Sequence, residues 1–165
     1  MIYGGVLILF IIIGILIILI SIIIMQNYNR KKVKMSFKES MNLTELPVVT
    51  FYNGTNKLNF LLDTGSNLCV INSNSLKPLT YTKLNETGHI HGMEGSIIDV
   101  EYISMNFTHN EKLYTSKFQV VDMQEAFDNV KKESGVTIHG ILGNNFFKRN
   151  KSILDFEELK AYFKK

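Results

Sequence analysis

The distribution of apolar residues divides this chain into three parts. From Ile2 to Met25 there is no charged residue, and isoleucine and leucine predominate. As a helix, this segment would span about 36 Å at about 1.5 Å per residue, which is enough for a bilayer core of about 30 Å. It is apolar on every face, which disfavours a buried core helix, and it lacks the basic start and small-residue cleavage site of a signal peptide. The pattern predicts a transmembrane anchor over residues 1–25.

The second part, residues 26–44, is polar and basic without sustained periodicity, which predicts a juxtamembrane linker. No lysine or arginine precedes the apolar segment, whereas basic residues follow it closely: Arg30, Lys31, Lys32, Lys34 and Lys38. Because cytoplasmic flanks of membrane spans carry the excess of basic residues, this asymmetry predicts a single-pass membrane protein with its remaining chain in the cytoplasm. An extracytoplasmic domain remains the alternative.

In the third part, from residue 45 onward, short apolar runs alternate with turn signals. The run Pro47–Tyr52 is followed by Asn53-Gly54, a strong hairpin signal, and then by the run Leu58–Leu62. Helical signals are few. Asp122 and Glu125 have the spacing of a capping box, with Gly135 as a stop, and a second, short helix is expected to end near Arg149. The pattern predicts a mostly β domain over residues 45–165 with one or two short helices.

The charge distribution excludes one class of partner. Residues 1–44 carry five basic residues and one acidic residue (net +4), whereas residues 45–165 carry thirteen basic and fourteen acidic residues (net −1). A nearly neutral domain has no electrostatic footprint for nucleic acid, so no nucleic-acid partner is expected. The basic flank is explained by membrane topology and by attraction to anionic lipid headgroups.

Two short motifs in the β domain carry candidate chemistry. Leu61-Leu62-Asp63-Thr64-Gly65-Ser66 is an apolar strand that enters a turn, and Gly140-Ile141-Leu142-Gly143 repeats that pattern later in the chain. Together they resemble the catalytic loop and the supporting strand of the pepsin and retropepsin superfamily of aspartic proteases. The resemblance extends over about residues 46–163, including the strand-rich ending after Ser152. It implies a single-lobe, retropepsin-like β-barrel.

The resemblance also assigns roles to the motif residues. Asp63 is the expected catalytic carboxylate, and Gly65 permits the tight turn. Thr64 is expected to hold the loops of two subunits together through its hydroxyl, and Ser66 to donate a hydrogen bond to the outer carboxylate oxygen. The strand expected to complete the cradle of the site consists of Ile141, Leu142 and Gly143.

Hydrolysis of a peptide bond by this chemistry needs two carboxylates that share one proton, so that one activates a water and the other supplies an acid. No other aspartate in the chain is followed by Thr-Gly or Ser-Gly. One chain therefore supplies half of a dyad, and a second copy of the chain is an expected partner. Tethering to a membrane would favour that encounter by raising the local concentration.

A long hairpin is expected to close over the substrate. The runs His89–His91 and Ile97–Ile103 flank a segment bounded by glycines, which predicts a mobile tip. The candidate substrate-contacting residues of this flap are His91, Gly92, Met93, Glu94 and Gly95. For His91, a solvated strand position is the favoured interpretation over substrate contact.

Three features depart from the superfamily pattern. Asn67 and Asn144 stand where retropepsins often have an acid–arginine ion pair, and they could at most exchange neutral hydrogen bonds. His139 precedes Gly140 where an acidic residue is common, and the favoured interpretation is a turn residue at a strand end. The ending Leu159–Phe163 is strand-like, but either an intersubunit sheet or a fold back onto its own chain fits the sequence.

Other candidate sites are weak. His89 and His91 share a strand face, but no acidic or cysteine partner lies at ligand spacing, so neither a metal nor a cofactor is expected. Cys69 lacks the context of a catalytic cysteine, and core packing is the favoured interpretation.

Three functional hypotheses follow. The first is a membrane-anchored, homodimeric aspartic endopeptidase that acts on extended polypeptide. The second is a catalytically silent binding or dimerisation module with the same fold, for which the two asparagine departures leave room. The third is a membrane protein whose β domain contains Asp-Thr-Gly by chance.

Overall fold

The computed structural model describes residues 12–24, 35–91 and 97–164, and the chain divides into two units, residues 1–34 and 35–165. In the first unit, residues 12–24 are helical and their large apolar side chains are exposed. The rest of the predicted anchor lies outside the described residues. Within the described ranges, no helix combines the length and the apolar character that crossing a membrane requires.

The second unit contains nine strands and three α-helices over its described residues. The strands are β1 Val48–Asn53, β2 Asn56–Leu62, β3 Cys69–Asn72, β4 Thr82–His91, β5 Ile97–His109, β6 Lys112–Val121, β7 Gly140–Leu142, β8 Ile153–Asp155 and β9 Lys160–Tyr162. The helices are α1 Phe37–Thr44, α2 Gln124–Ser134 and α3 Asn144–Arg149, and a single 3₁₀ turn covers Ser73–Ser75. The predicted mostly β character is confirmed.

Six of these strands close into a barrel. The sheet order is β1-β2-β7-β3-β6-β5-β4, and a further pairing of β1 with β5, at Tyr52 and Thr108, joins the two ends. Strand β4 extends the sheet beyond the barrel by pairing with β5. Closure leaves few free strand edges, which limits unwanted edge-to-edge association. A closed barrel of this kind fits the expected retropepsin-like fold.

Aromatic side chains fill the barrel. The phenylalanines at 1% exposure or less are Phe51, Phe60, Phe107, Phe118 and Phe146. Phe51 lies at the centre of this group, with ring centroids 5.8 Å from Phe60 and 5.3 Å from Phe107 in edge-to-face arrangements. Such pairs contribute about 0.5–1.5 kcal/mol beyond the area they bury, so the barrel has a rigid interior behind the site.

The linker predicted over residues 26–44 differs from the structure in its final part. Helix α1 begins at a full capping box, in which Ser36 Oγ accepts from Glu39 N and the Glu39 carboxylate accepts from Ser36 N. Phe37 is 3% exposed in the barrel core, and Met35 is bound to Thr50 of β1 through both of its backbone polar groups. The packed domain therefore includes residues 35–44, which the missing periodicity of so short a helix concealed.

Two further predictions can be compared with the structure. Helix α2 forms as expected and ends at Gly135, which adopts φ 73°, but it has no capping box: the Asp122 carboxylate accepts from Gln124 N. The ending of the chain folds back on itself, because β9 pairs antiparallel with β8 through Leu154 and Ala161. The intersubunit sheet stays a prediction, because it involves a second copy of the chain.

Candidate active site

Asp63 lies at the end of β2, where the strand leaves the barrel. Strand β7 pairs parallel to β2, with Leu62 opposite Leu142, and Asp63 N donates to Leu142 O at 3.0 Å. On its other side β7 pairs antiparallel with β3, which begins at Cys69 directly after the loop. The barrel therefore brings the two sequence motifs together, although about 80 residues separate them along the chain.

The turn after Asp63 is closed by its own carboxylate. Gly65 N donates to Asp63 Oδ1 at 2.8 Å, and Ser66 N donates to Asp63 O at 3.3 Å. A Cβ on Gly65 would lie 3.1 Å from Asp63 Oδ1, so a side chain there would crowd the carboxylate. Asp63 is half-buried whereas Thr64 and Gly65 are exposed, which directs the tip of the loop towards solvent.

The predicted roles of Thr64 and Ser66 can be compared with their contacts. The Ser66 hydroxyl donates to Leu68 O at 2.8 Å and not to Asp63, so in this chain it supports the base of the loop. The Thr64 hydroxyl has no hydrogen-bond partner among the described residues, while the Thr64 carbonyl accepts from Asn144 Nδ2 at 2.7 Å.

The turn at Gly143–Asn145 packs against the base of the Asp63 loop and is hydrogen-bonded to it. Asn144 N donates to Ser66 O at 2.8 Å and Asn145 N donates to Asn67 O at 3.1 Å. A Cβ on Gly143 would lie 2.3 Å from Leu68 O and 2.6 Å from Ser66 O, both of which are backbone atoms. Only glycine permits this close approach, which explains why the turn needs that residue type.

The asparagines at 67 and 144 do not bond to each other through their side chains. Asn144 instead uses its amide on the Thr64 carbonyl, and Asn67 contributes its backbone carbonyl. Neutral hydrogen bonds thus tie the two turns together without an ion pair.

His139 has a structural role that the sequence did not reveal. Its Nδ1 accepts from Asn59 N at 3.0 Å, and burial lowers the pKa of the imidazole, which keeps it neutral. Asn59 continues the network, since its amide donates to Thr137 O and its carbonyl accepts from the Thr50 hydroxyl at 2.8 Å. A buried polar chain thus runs from the start of α1 to the residue before β7. The available signal was Asn59 itself, a polar residue within an apolar run.

The predicted flap corresponds to β4 and β5, which pair as far as His91 opposite Ile97. The proposed tip residues Gly92, Met93, Glu94 and Gly95 lie outside the described residues. Two residue pairs before the end of this pairing, His89 Nδ1 lies 2.6 Å from Asp99 Oδ1, and both side chains are exposed. Among the described residues, no three His, Cys, Asp or Glu side chains are close enough to hold a metal ion.

Cys69 packs against the barrel as expected for a core residue, at 2% exposure. Burial raises the pKa of its thiol, and Ser116 Oγ lies 3.4 Å from its sulfur. A thiol of this kind is mainly protonated and a poor nucleophile.

Comparison with known proteins gives one finding. The family model described as retroviral aspartyl protease matches residues 31–155 of the chain. The matched range contains the Asp63 loop and strand β7, and it begins within the segment predicted to be a linker. No curated protein matches the chain.

Proposed function

Because the chain belongs to the retroviral aspartyl protease family, we propose that it is an aspartic endopeptidase whose active site forms when two copies bring their Asp63 carboxylates together. The observation that carries this proposal is the geometry of the Asp63 loop. The Asp63 carboxylate is oriented by a hydrogen bond from Gly65 N. The base of the loop is held by backbone hydrogen bonds to β7 and to the start of α3, and the tip of the loop is open to solvent. A rigid base with an accessible carboxylate is what a positioned acid or base needs.

The chemistry follows from bringing two carboxylates together. At about 3 Å separation and an effective dielectric constant near 20, their mutual repulsion when both are ionised is about 5.5 kcal/mol. This energy corresponds to about four pKa units, so one carboxyl holds a proton over a wide pH range. The ionised partner then removes a proton from water, and the protonated partner donates to the carbonyl oxygen of the scissile peptide bond.

Three features support a dimer as the active form. The chain has a single Asp-Thr-Gly motif, so it supplies one carboxylate of the pair. The exposed tip of the loop, at Thr64 and Gly65, is free to approach a second copy about a two-fold axis. The Thr64 hydroxyl, which has no partner in the described part of the chain, is available to bond to the backbone of the opposite loop.

We propose a polypeptide in extended conformation as the substrate. It would lie between the Asp63 loops and the flap hairpin of β4 and β5, with backbone hydrogen bonds giving affinity and side-chain pockets giving specificity. The flap residues from His91 to Gly95 are the proposed closing element over this cleft.

We further propose that residues 2–25 anchor the enzyme in a bilayer, with the protease domain on the cytoplasmic side. The support is the charge-free apolar sequence and the basic residues that follow it. Carbonate extraction of membranes from cells that express the full chain tests this proposal, and release of the protein into the soluble fraction would contradict it.

The hydrolase proposal is tested with the full chain in detergent micelles, mixed with a peptide library whose products are read by mass spectrometry. The wild type is compared with Asp63→Asn, which keeps the shape of the side chain but cannot act as the base. Asp128→Asn on α2 is the matched control, because it makes the same substitution away from the loop. We expect cleavage by the wild type and the control only. Equal cleavage by Asp63→Asn would show that the activity does not come from this site.

A further inference from the structure

A pocket of about 200 Å³ opens beside the base of the Asp63 loop. One wall is formed by Leu68 and Cys69, where the loop returns to the barrel as β3. The lining also includes Tyr102 of β5, Lys117 of β6 and the α3 residues Asn145 and Arg149. Since a water occupies about 30 Å³ of liquid volume, the pocket has room for one acidic side chain and a few waters.

The pocket is joined to the proposed active site by shared backbone. The carbonyl of Leu68 is the atom that packs against Gly143, and Asn145 N donates to Asn67 O in the loop. An extended substrate presents alternate side chains to the same face, about two residues apart. We therefore expect a substrate bound at Asp63 to present one of its neighbouring side chains at this pocket.

One cation of the pocket is already neutralised. The Lys117 ammonium is ion-paired with Glu86 of β4, and it lies 3.9 Å from the centroid of the Tyr102 ring. Two contacts fix the position of the Tyr102 ring. Its hydroxyl accepts a hydrogen bond from Gln119 Nε2 at 2.9 Å. The ring also lies against Gly88, where a Cβ would be 2.5 Å from the phenolic oxygen. The charge of Lys117 is thus already paired with a carboxylate, and the aromatic ring beside it is held in place.

Arg149 is the pocket cation that has no counter-charge among the described residues. Its guanidinium reaches from α3 across to β6, where Nη1 donates to Thr115 O at 3.3 Å. It forms no ion pair with the described residues of the chain. A guanidinium has five N–H donors in a planar fork, so most of its donors are unused here. The bond to Thr115 O holds the fork at the pocket, while the side chain stays exposed at the end of α3.

We propose that this pocket is a specificity site that binds the carboxylate of an aspartate or glutamate side chain of the polypeptide substrate through Arg149. The inference rests on the proposed function, since it names a feature of the same substrate. Arginine binds carboxylates with paired, charge-assisted hydrogen bonds, and a lysine at the same place acts only as a point charge. The Asn145 amide, which has no hydrogen-bond partner among the described residues, is a second donor on the same wall.

The test uses the full chain in detergent micelles and peptides capped at both ends, so that no terminal carboxylate is present. Peptides of fixed length are made as pairs that carry glutamate or glutamine at each position in turn, without prior selection for cleavage. The ratio of kcat/KM within each pair is measured for the wild type, Arg149→Gln and Arg149→Lys. Lys148→Gln is the matched control, because it removes the neighbouring cation of the same helix, which does not line the pocket.

We expect the wild type and Lys148→Gln to prefer glutamate at one position by about tenfold, which corresponds to about 1.4 kcal/mol. The preference should fall below about twofold in Arg149→Gln and be partly retained in Arg149→Lys. The same pairs are also bound to Asp63→Asn, with and without Arg149→Gln, and followed by fluorescence anisotropy.

Each outcome separates the two proposals. Cleavage without any preference for glutamate, or a preference that survives Arg149→Gln, overturns the specificity site and leaves the endopeptidase standing. Arg149-dependent binding of the glutamate peptides without cleavage by the wild type supports the pocket and refutes the hydrolase.

Discussion

The contact between the two glycine turns gives the sharpest prediction. In Gly143→Ala, the new Cβ would lie 2.3 Å from Leu68 O, whereas ordinary contacts begin near 3.4 Å. The backbone at Gly143 and the backbone at Leu68 must therefore move apart by about 1 Å, because both contacting groups belong to the main chain and no side chain can rotate away. Overpacking of this kind costs about 1–3 kcal/mol of folding stability.

The effect on activity should be larger than the effect on stability. The carbonyl that is displaced belongs to the base of the Asp63 loop, and a misplacement of about 1 Å at a catalytic group costs about 100-fold in rate. We expect Gly143→Ala to fold and to lose about two orders of magnitude in kcat. Urea unfolding followed by fluorescence gives the free energy, and peptide cleavage gives kcat.

Gly54→Ala is the control for adding a methyl group at a glycine turn. No atom lies within 4 Å of its Cβ, but its φ of 59° makes the substitution strained by about 1–2 kcal/mol. This turn lies at the far end of β2 from Asp63, so stability should fall while kcat is unchanged. If Gly143→Ala kept wild-type activity, or if both variants lost activity equally, close packing between the two turns would not be what positions the site.

Three further predictions concern the core, the dimer and pH. Phe37→Ala should lower the free energy of unfolding by about 3–5 kcal/mol in urea titrations, because the residue is buried. Leu43→Ala on the same helix should change it by less than about 1 kcal/mol, because Leu43 is 56% exposed. For the dimer, equal amounts of wild-type and Asp63→Asn chains are mixed and re-equilibrated, and activity per total chain is measured. If the dyad needs one aspartate from each chain, about a quarter of the dimers should be active. Half of the initial activity per total chain would indicate that each chain works alone. Burial lowers the pKa of His139 in the folded chain below the unfolded value of 6.5, so the unfolded state binds the proton first as pH falls. The free energy of unfolding should therefore decrease below about pH 6.5, by up to about 1.36 kcal/mol per pH unit. The difference in unfolding free energy between wild type and His139→Gln, measured from pH 7.5 to 5, should shrink towards acid; a constant difference would show that His139 does not titrate on unfolding.

The strand pattern of the barrel could be predicted because its signals are local. Asn53-Gly54 marks the first hairpin, since β1 ends at Asn53 and β2 begins at Asn56. The Asp63 loop could be located because an apolar strand that ends in Asp-Thr-Gly is rare enough, when paired with Gly140–Gly143, to suggest a single site. The structure places these two segments side by side.

Other features could not be predicted because they depend on distant partners. Helix α1 is stabilised by Phe37 in the barrel core and by Met35 on Thr50, and neither contact leaves a periodic pattern in eight residues. The sequence indicated only a turn residue at His139. Its role as a hydrogen-bond acceptor depends on Asn59 N, which lies 80 positions away along the chain. Arg149 lies exposed at the end of α3 as the last residue of that helix, but its sequence neighbours do not show that Thr115 O lies within reach.

By itself, the sequence determined the mostly β character of the domain, the first hairpin with its turn, and which carboxylate follows an apolar strand into a glycine turn. These properties depend on alternation and turn chemistry within a few residues. The tertiary structure alone decided that β1 and β5 close the barrel, that residues 35–44 belong to the domain, and that Gly143 packs directly under the Asp63 loop. Those outcomes depend on which distant groups can be buried together with their hydrogen bonds satisfied, and that balance is settled only when the whole barrel has formed.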